Sequence, residues 1–377
     1  MPLNRTAYIL SLKFAPGLKK EFEVLGENIR KRGIDVKYFL SERYKKLGEN
    51  CEGVEYITKD DSLKGMIFET VKFVSNNEIL KIFQDQFPLF ICFYNPHPLN
   101  PFITRKVKNI FSEAILALYL HDPYKPDKSP YGIAKAAYIT MAELIQSLTI
   151  KYMDYVISPS EYSSKLFLQR YPSFKGKNFI APLLVSDQRV SDKAERKLFS
   201  IVGGAHPATG HDTFIELINY VASKHLSYDF ALISSSNVLK YLERLNNKAR
   251  KIVKIINKKI ILDSEINEII RESYAVFRLD REVTQSGVVP VAYMNETPVI
   301  ARDIPGLRQH VKHGHDGYIV PFNCTPEDLV KAMDTVKENF SEMSKNARKS
   351  YEEVWAEWNW DKYYGWLIDV FKKKGIL

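Results

Sequence analysis

Thr284-Gln285-Ser286-Gly287 is a polar turn with apolar sequence on both sides. Before it, Tyr274-Ala275-Val276-Phe277 leads into Arg278-Leu279-Asp280-Arg281-Glu282. After it, residues 288–303 supply an apolar helix, a short break and a second apolar strand. A glycine-bearing turn that opens a helix presents free backbone N–H groups at the positive end of the helix dipole, where phosphate binds well. The pattern predicts an α/β domain that grips a phosphorylated or nucleotide-linked ligand. The same residues also suit a plainly capped helix start.

The elements that would position this turn are legible along the chain. Tyr8 to Leu12 reads as a first strand, followed by a Phe14-Ala15-Pro16-Gly17 turn. A helix with Leu18, Phe22, Leu25 and Ile29 on one face comes next, then a strand at Val36–Leu40. This β-α-β opening predicts a parallel sheet with covered faces. Further strands are expected at Pro88–Tyr94, Ile115–Leu120 and Tyr155–Ser158. After a polar stretch over 186–197 a second set begins, with strands at Leu198–Val202, Phe230–Ile233, Ile260–Leu262, Ala275–Leu279 and Pro298–Ala301. The run Arg244 to Lys259 reads as one amphipathic helix with a wet basic face. Residues 341–377 carry a long helical pattern rich in Trp and Tyr, of the kind that docks rather than floats. Two doubly wound α/β domains follow as the architecture, with ligand at the carboxyl ends of the strands. The boundaries are 1–182 for the first domain, with a terminal helix from about 357–377 crossing back to it, and 183–356 for the second.

Bulk properties narrow the classes. The chain has 377 residues and a net charge of +9. That charge suits a solvated lysine-rich surface, or else attraction to an anionic partner such as a nucleotide, a membrane face or nucleic acid. No nucleic-acid module signature is present, so no nucleic-acid partner is expected. Cys51, Cys92 and Cys324 lie far apart, which speaks against a disulfide framework and a cysteine metal site, and fits a reducing cytoplasm. The opening residues lack the apolar core of a signal peptide, and residues 133–157 are broken by Lys135, Glu143, Lys151 and Asp154, so no membrane span is expected. Zinc spacing, a P-loop and the dinucleotide glycine fingerprint are all absent.

The ordered set of features resembles the GT-B glycosyltransferases, in particular the retaining enzymes of the glycosyl transferases group 1 type. The residues that carry the likeness are Asp154–Ser163, Phe199–Gly204 followed by Gly210–Ile215, residues 297–321, and the aromatic terminal helix. Two Rossmann-like domains facing across a cleft are implied, the first for the acceptor and the second for a nucleotide-sugar donor, UDP- or GDP-linked. No resident cofactor and no metal are implied. Where the family places an Arg and a Lys in its first donor loop, this chain has Gly204 and Thr209. The family's paired glutamates fall near Val283 and Val291. A subset with a TQSG-type turn matches better, through Arg281, Thr284, Gln285, Ser286 and Gly287.

On this resemblance, backbone N–H groups around Ser286, Gly287 and Val288 hold the diphosphate, and the Thr284 and Ser286 hydroxyls add donors. Arg281 supplies positive charge, because a guanidinium fork matches phosphate oxygens. Gly203 and Gly204 allow close approach to the donor. Gly17 opens the loop on the sugar side. His121 contacts a sugar hydroxyl, and Glu282 accepts hydrogen bonds from a ribose or sugar. Asp280 and Glu282 also mimic the acidic metal clamp of the other main glycosyltransferase fold. The resemblance implies transfer to a glycan, lipid-linked or small acceptor, in the cytoplasm or at the membrane periphery. Two other readings stay open: a non-catalytic nucleotide-sugar-binding protein, and a sugar-nucleotide epimerase of similar fold.

Overall fold

A computed structural model describes residues 5–47, 52–76, 83, 87–189 and 194–377. Cys51 lies outside the described residues; Cys92 and Cys324 are free thiols. The chain forms two compact units. The first comprises Met1–Pro126, Ala134–Leu184 and Glu357–Leu377; the second comprises Asp127–Ile133 and Val185–Ala356.

The first unit is built on a seven-stranded sheet of order β3-β2-β1-β4-β5-β6-β7. Its strands are β1 (Arg5–Ser11), β2 (Asp35–Ser41), β3 (Val54–Thr58), β4 (Phe87–Tyr94), β5 (Ile115–Tyr119), β6 (Tyr155–Ser158) and β7 (Asn178–Ile180). Every pairing is parallel. β1, β4 and β5 read as near-continuous apolar runs because helices bury both of their faces. The C-terminal helix Trp360–Lys373 belongs to this unit, with Trp360, Tyr364, Leu367 and Phe371 buried along one stripe. Its Tyr364 hydroxyl donates to Glu21 Oε1 at 2.6 Å, and the Tyr94 hydroxyl donates to the other carboxylate oxygen.

The second unit carries a six-stranded parallel sheet of order β10-β9-β8-β11-β12-β13. Its strands are β8 (Leu198–Val202), β9 (Asp229–Ser234), β10 (Val253–Asn257), β11 (Ser273–Arg278), β12 (Val299–Arg302) and β13 (Gly317–Val320). Both units have the Rossmann-like α/β organisation expected from the sequence.

Three expectations change. Residues 244–259 are not one helix: a short 3-10 turn at Ala249–Lys251 leads into β10. Ile252, Val253, Ile255 and Ile256 form a β-branched cluster, which suits a pleated edge better than a helix. Exposed Lys254 blunts that edge. Ile260–Leu262 is not a strand and instead leads into the helix Asp263–Arg271. The terminal helical pattern is interrupted: after a π turn at Tyr351–Trp355 the backbone extends at Ala356, which bridges to Val185. The Tyr351 hydroxyl donates to Val185 O at 2.7 Å and fixes this junction.

Candidate active site

The centre of the second sheet is β8 beside β11, where the strand order reverses, and ligands of open α/β sheets bind at such switch points. β8 ends at Val202 and turns through Gly203, whose φ of 118° excludes an L side chain without strain. A Cβ on Gly203 would lie 3.5 Å from Arg278 Nη1 and 3.9 Å from Val288 Cγ2. The loop after β8, the end of β11 and the start of the helix Val288–Met294 therefore converge on one spot.

The β8 loop is held from within. His206 N–H donates to the Thr209 hydroxyl oxygen at 3.0 Å, and that hydroxyl donates to His206 O at 2.7 Å. Thr209 also contacts His211 Nδ1 at 2.9 Å, so its side chain is engaged in the turn itself. Gly210 has φ 69°, and a Cβ there would sit 2.2 Å from Leu279 O. The helix His211–Ser223 starts beyond it. Burial, with Arg278 and His206 adding, pushes the His211 imidazole down to about 3 and keeps it neutral.

Arg281 joins the two strand-end loops. Its backbone N–H donates to Ala208 O at 2.8 Å, and its Nη1 donates to Pro207 O at 2.7 Å. The guanidinium also grips Asp212, at 2.9 and 2.7 Å. Burial raises the Asp212 carboxyl, but the Arg281 fork outweighs it and holds the group below its usual value. The hydrogen bonds to Asp212 hold Arg281 above its own usual value.

Two further arginines, not singled out from sequence, close the strand ends. Arg278 ends β11 and Arg302 ends β12. Arg278 donates to Val202 O at 3.2 Å and pairs with Asp280 at 2.9 Å, and Asp280 is 2% exposed. Arg302 is 3% exposed and donates to Thr213 Oγ1 at 3.1 Å. The Nε of each arginine is buried with no hydrogen-bond partner in the protein. The available sequence signal was an arginine terminating each of two apolar strands.

Thr284, Gln285 and Ser286 are buried. Gln309 Nε2 donates to Thr284 O at 3.0 Å, and Gly306 leaves no room for a Cβ against Val283 O. Ser286 Oγ accepts from Val288 N at 3.3 Å, so one N–H at this helix start is already taken. Gly287 has φ −70°, which any residue adopts. Glu282 accepts a hydrogen bond from the hydroxyl of Tyr131, whose ring lies 5.6 Å from that of His206. Tyr131 comes from the short segment Asp127–Ile133 that belongs to this unit. Among the described residues no group of acidic, His or Cys side chains is arranged to hold a metal.

The structure thus brings Gly203, Gly204, Thr209, Arg281, Glu282 and Thr284–Val288 to the strand ends of the second unit. Gly17 and His121 lie in the first unit. Gly17 sits in a 3-10 turn with open space around its Cα. His121 follows β5, with Nδ1 3.0 Å from Asp122 Oδ2, and Lys125 Nζ reaches Asp122 Oδ1 at 2.7 Å. Burial raises the Asp122 carboxyl, yet Lys125 and His121 hold it well below the usual carboxylate range. The helix Ile133–Ile150 fixes this loop with polar groups turned inward. Glu143 accepts from Lys125 N at 2.9 Å, and Gln146 Nε2 donates to Asp122 O at 3.3 Å.

Residues 186–353 match the glycosyl transferases group 1 family. Among solved structures the chain is similar to the sucrose-phosphate synthase of Thermosynechococcus elongatus, with TM-score 0.74 and 14% identity over 98% of both chains. It is similar to HepE of Anabaena, solved with UDP, with TM-score 0.71 and 15% identity over 97% of this chain and 100% of that one. It is also similar to the pneumococcal O-GlcNAc transferase GtfA, solved with UDP and GlcNAc, with TM-score 0.72 and 10% identity over 98% and 99%. No curated protein matches the sequence. With two parallel Rossmann-like sheets matched along the whole chain by these structures, the chain has the GT-B fold, and its residues 186–353 are similar to the glycosyl transferases group 1 family.

Proposed function

We propose that the protein transfers a sugar from a nucleotide-sugar, UDP- or GDP-linked, with retention of configuration and without a metal. The convergence of Gly203, Arg278 and Val288 at the switch point of the second sheet carries this reading. A diphosphate seated there meets glycine backbone, the Ser286–Val288 turn and buried guanidinium charge. Charge grows on the diphosphate as the bond to the anomeric carbon breaks, and preorganised cations and N–H donors lower that barrier. Side-chain cations, Arg278 and Arg302 foremost, take the place of a divalent ion. They also stand in for the cations missing at Gly204 and Thr209. Glu282, oriented by Tyr131, accepts hydrogen bonds from the sugar or ribose, and His121 serves the sugar or acceptor from its own unit.

The experiment is a thermal-shift screen with UDP, GDP, ADP and dTDP and their sugars. At a ligand concentration about 100 times Kd, binding stabilises by about 2.7 kcal/mol. No response to any nucleotide overturns the donor site. Gln285→Ala and Ser286→Ala weaken UDP binding on this reading, and unchanged affinity in both removes the turn from the site.

A lipid-linked acceptor at a membrane face is favoured by a specific observation in the first unit. The helix Ile133–Ile150 buries Glu143, Gln146 and Thr149 while Leu144 and Leu148 face outward. The helix Leu63–Ser75 likewise exposes Ile67, Phe68 and Val71, with Phe68 71% exposed. Outward apolar faces on a chain of net charge +9 suit an anionic lipid surface. Among the described residues no helix is long and apolar enough to cross a membrane. Co-sedimentation with vesicles containing phosphatidylglycerol is the test. Phe68→Asp combined with Val71→Asp abolishes it on this reading, and undiminished sedimentation rejects it.

A further inference from the structure

An open pocket of about 490 Å³ lies in the second unit beside the start of the helix His211–Ser223. Lys240, Arg244 and Arg281 line it, with Asp212 as the one carboxylate. Tyr241, Pro130 and Pro207 supply its apolar wall. Asp212 is already inside the Arg281 fork. Arg244 pairs with Glu216 at 2.7 Å, but both side chains are about half exposed, and such surface pairs hold weakly. Lys240 makes no ion pair among the described residues; its ammonium lies 4.8 Å from the Tyr241 ring centroid. A ligand entering the pocket therefore meets Lys240 and Arg244 as available cations beside Pro130 and Pro207. Tyr241 is 4% exposed, and its hydroxyl is buried with no hydrogen-bond partner in the protein.

We propose that this pocket binds an anionic sugar, the phosphorylated or carboxylate-bearing end of the acceptor. A bare anion needs only the cations; the more accessible Pro130 and Pro207 surface suits the C–H face of a sugar ring. Arg281 borders both the pocket and the strand-end loops, so an acceptor anchored here sits next to the site proposed for the donor. The acceptor role rests on the transferase reading; the binding of an anionic sugar does not.

The test measures binding of glucose 6-phosphate, glucuronate, glucose and inorganic phosphate by calorimetry, with UDP binding measured on the same samples. The expected result is that one or both anionic sugars bind about tenfold or more tightly than glucose, the scale of one charge-assisted hydrogen bond. Lys240→Ala combined with Arg244→Ala removes that preference and leaves UDP affinity within about twofold. Lys251→Ala, a surface charge control outside the pocket, keeps it. The proposal is overturned if the double variant retains the preference, or if inorganic phosphate binds the wild type as tightly as glucose 6-phosphate. Failure of UDP to bind overturns the donor reading instead and leaves this comparison readable.

Discussion

Arg281, on the loop after β11, and Asp212, in the first turn of the helix His211–Ser223, are joined by two hydrogen bonds of 2.9 and 2.7 Å. The pair makes Arg281 a clasp between the β8 loop and the turn at 284–287. Arg281→Ala is expected to cost about 1–2 kcal/mol, discounted for partial exposure, and to loosen UDP binding. Arg281→Lys keeps the charge but not the fork, so it recovers little of either. Denaturant melts with and without UDP read both effects.

Arg278 separates stability from binding. Arg278→Met leaves Asp280 buried without this partner and is expected to cost about 2 kcal/mol or more. Adding Asp280→Asn removes the stranded charge and restores much of the fold's stability. UDP affinity stays at least about tenfold down in the double variant, because the cation is still missing. Restored UDP affinity in the double variant contradicts a diphosphate role for Arg278.

Glu21 gives the first unit a pH dependence. Burial raises its carboxyl to about 7, against the Tyr364 and Tyr94 hydroxyls that favour the charged form. The folded state therefore holds a proton that the unfolded chain has released between about pH 4.5 and 7. Stability contributed by this group is full below that window and falls as pH rises through it, by about 3 kcal/mol in all. Glu21→Gln is expected to flatten this fall, so the variant gains on the wild type between pH 5 and pH 8. Parallel slopes for the two proteins would count against it.

Two glycines divide by conformation. Gly210→Ala meets Leu279 O at 2.2 Å in a left-handed backbone and is expected to cost about 2–3 kcal/mol or more. Gly17→Ala meets open space and stays within about 0.5 kcal/mol in thermal melts. Any change in turnover in Gly17→Ala then reports on the site rather than on folding.

Much of this architecture was written in the order of residues. Apolar runs such as Phe199–Val202 and Ala275–Phe277 read as buried parallel strands, and the glycines and polar turns after them marked the strand ends. Periodicity failed at 244–259, where edge pairing with β9 turned a helical pattern into a strand. It also failed at Ala356, where a bridge to Val185 stopped a helix. The sequence by itself determined two α/β halves and the turn at 284–287. Only the tertiary structure decided that Tyr131 reaches Glu282 across 151 residues of chain, and that Arg281 is spent on Asp212. It likewise placed Arg278 and Arg302 at the adjacent ends of β11 and β12. Local pattern reports which face of an element is apolar; which charges meet is set by strand order and register, which bring distant residues side by side.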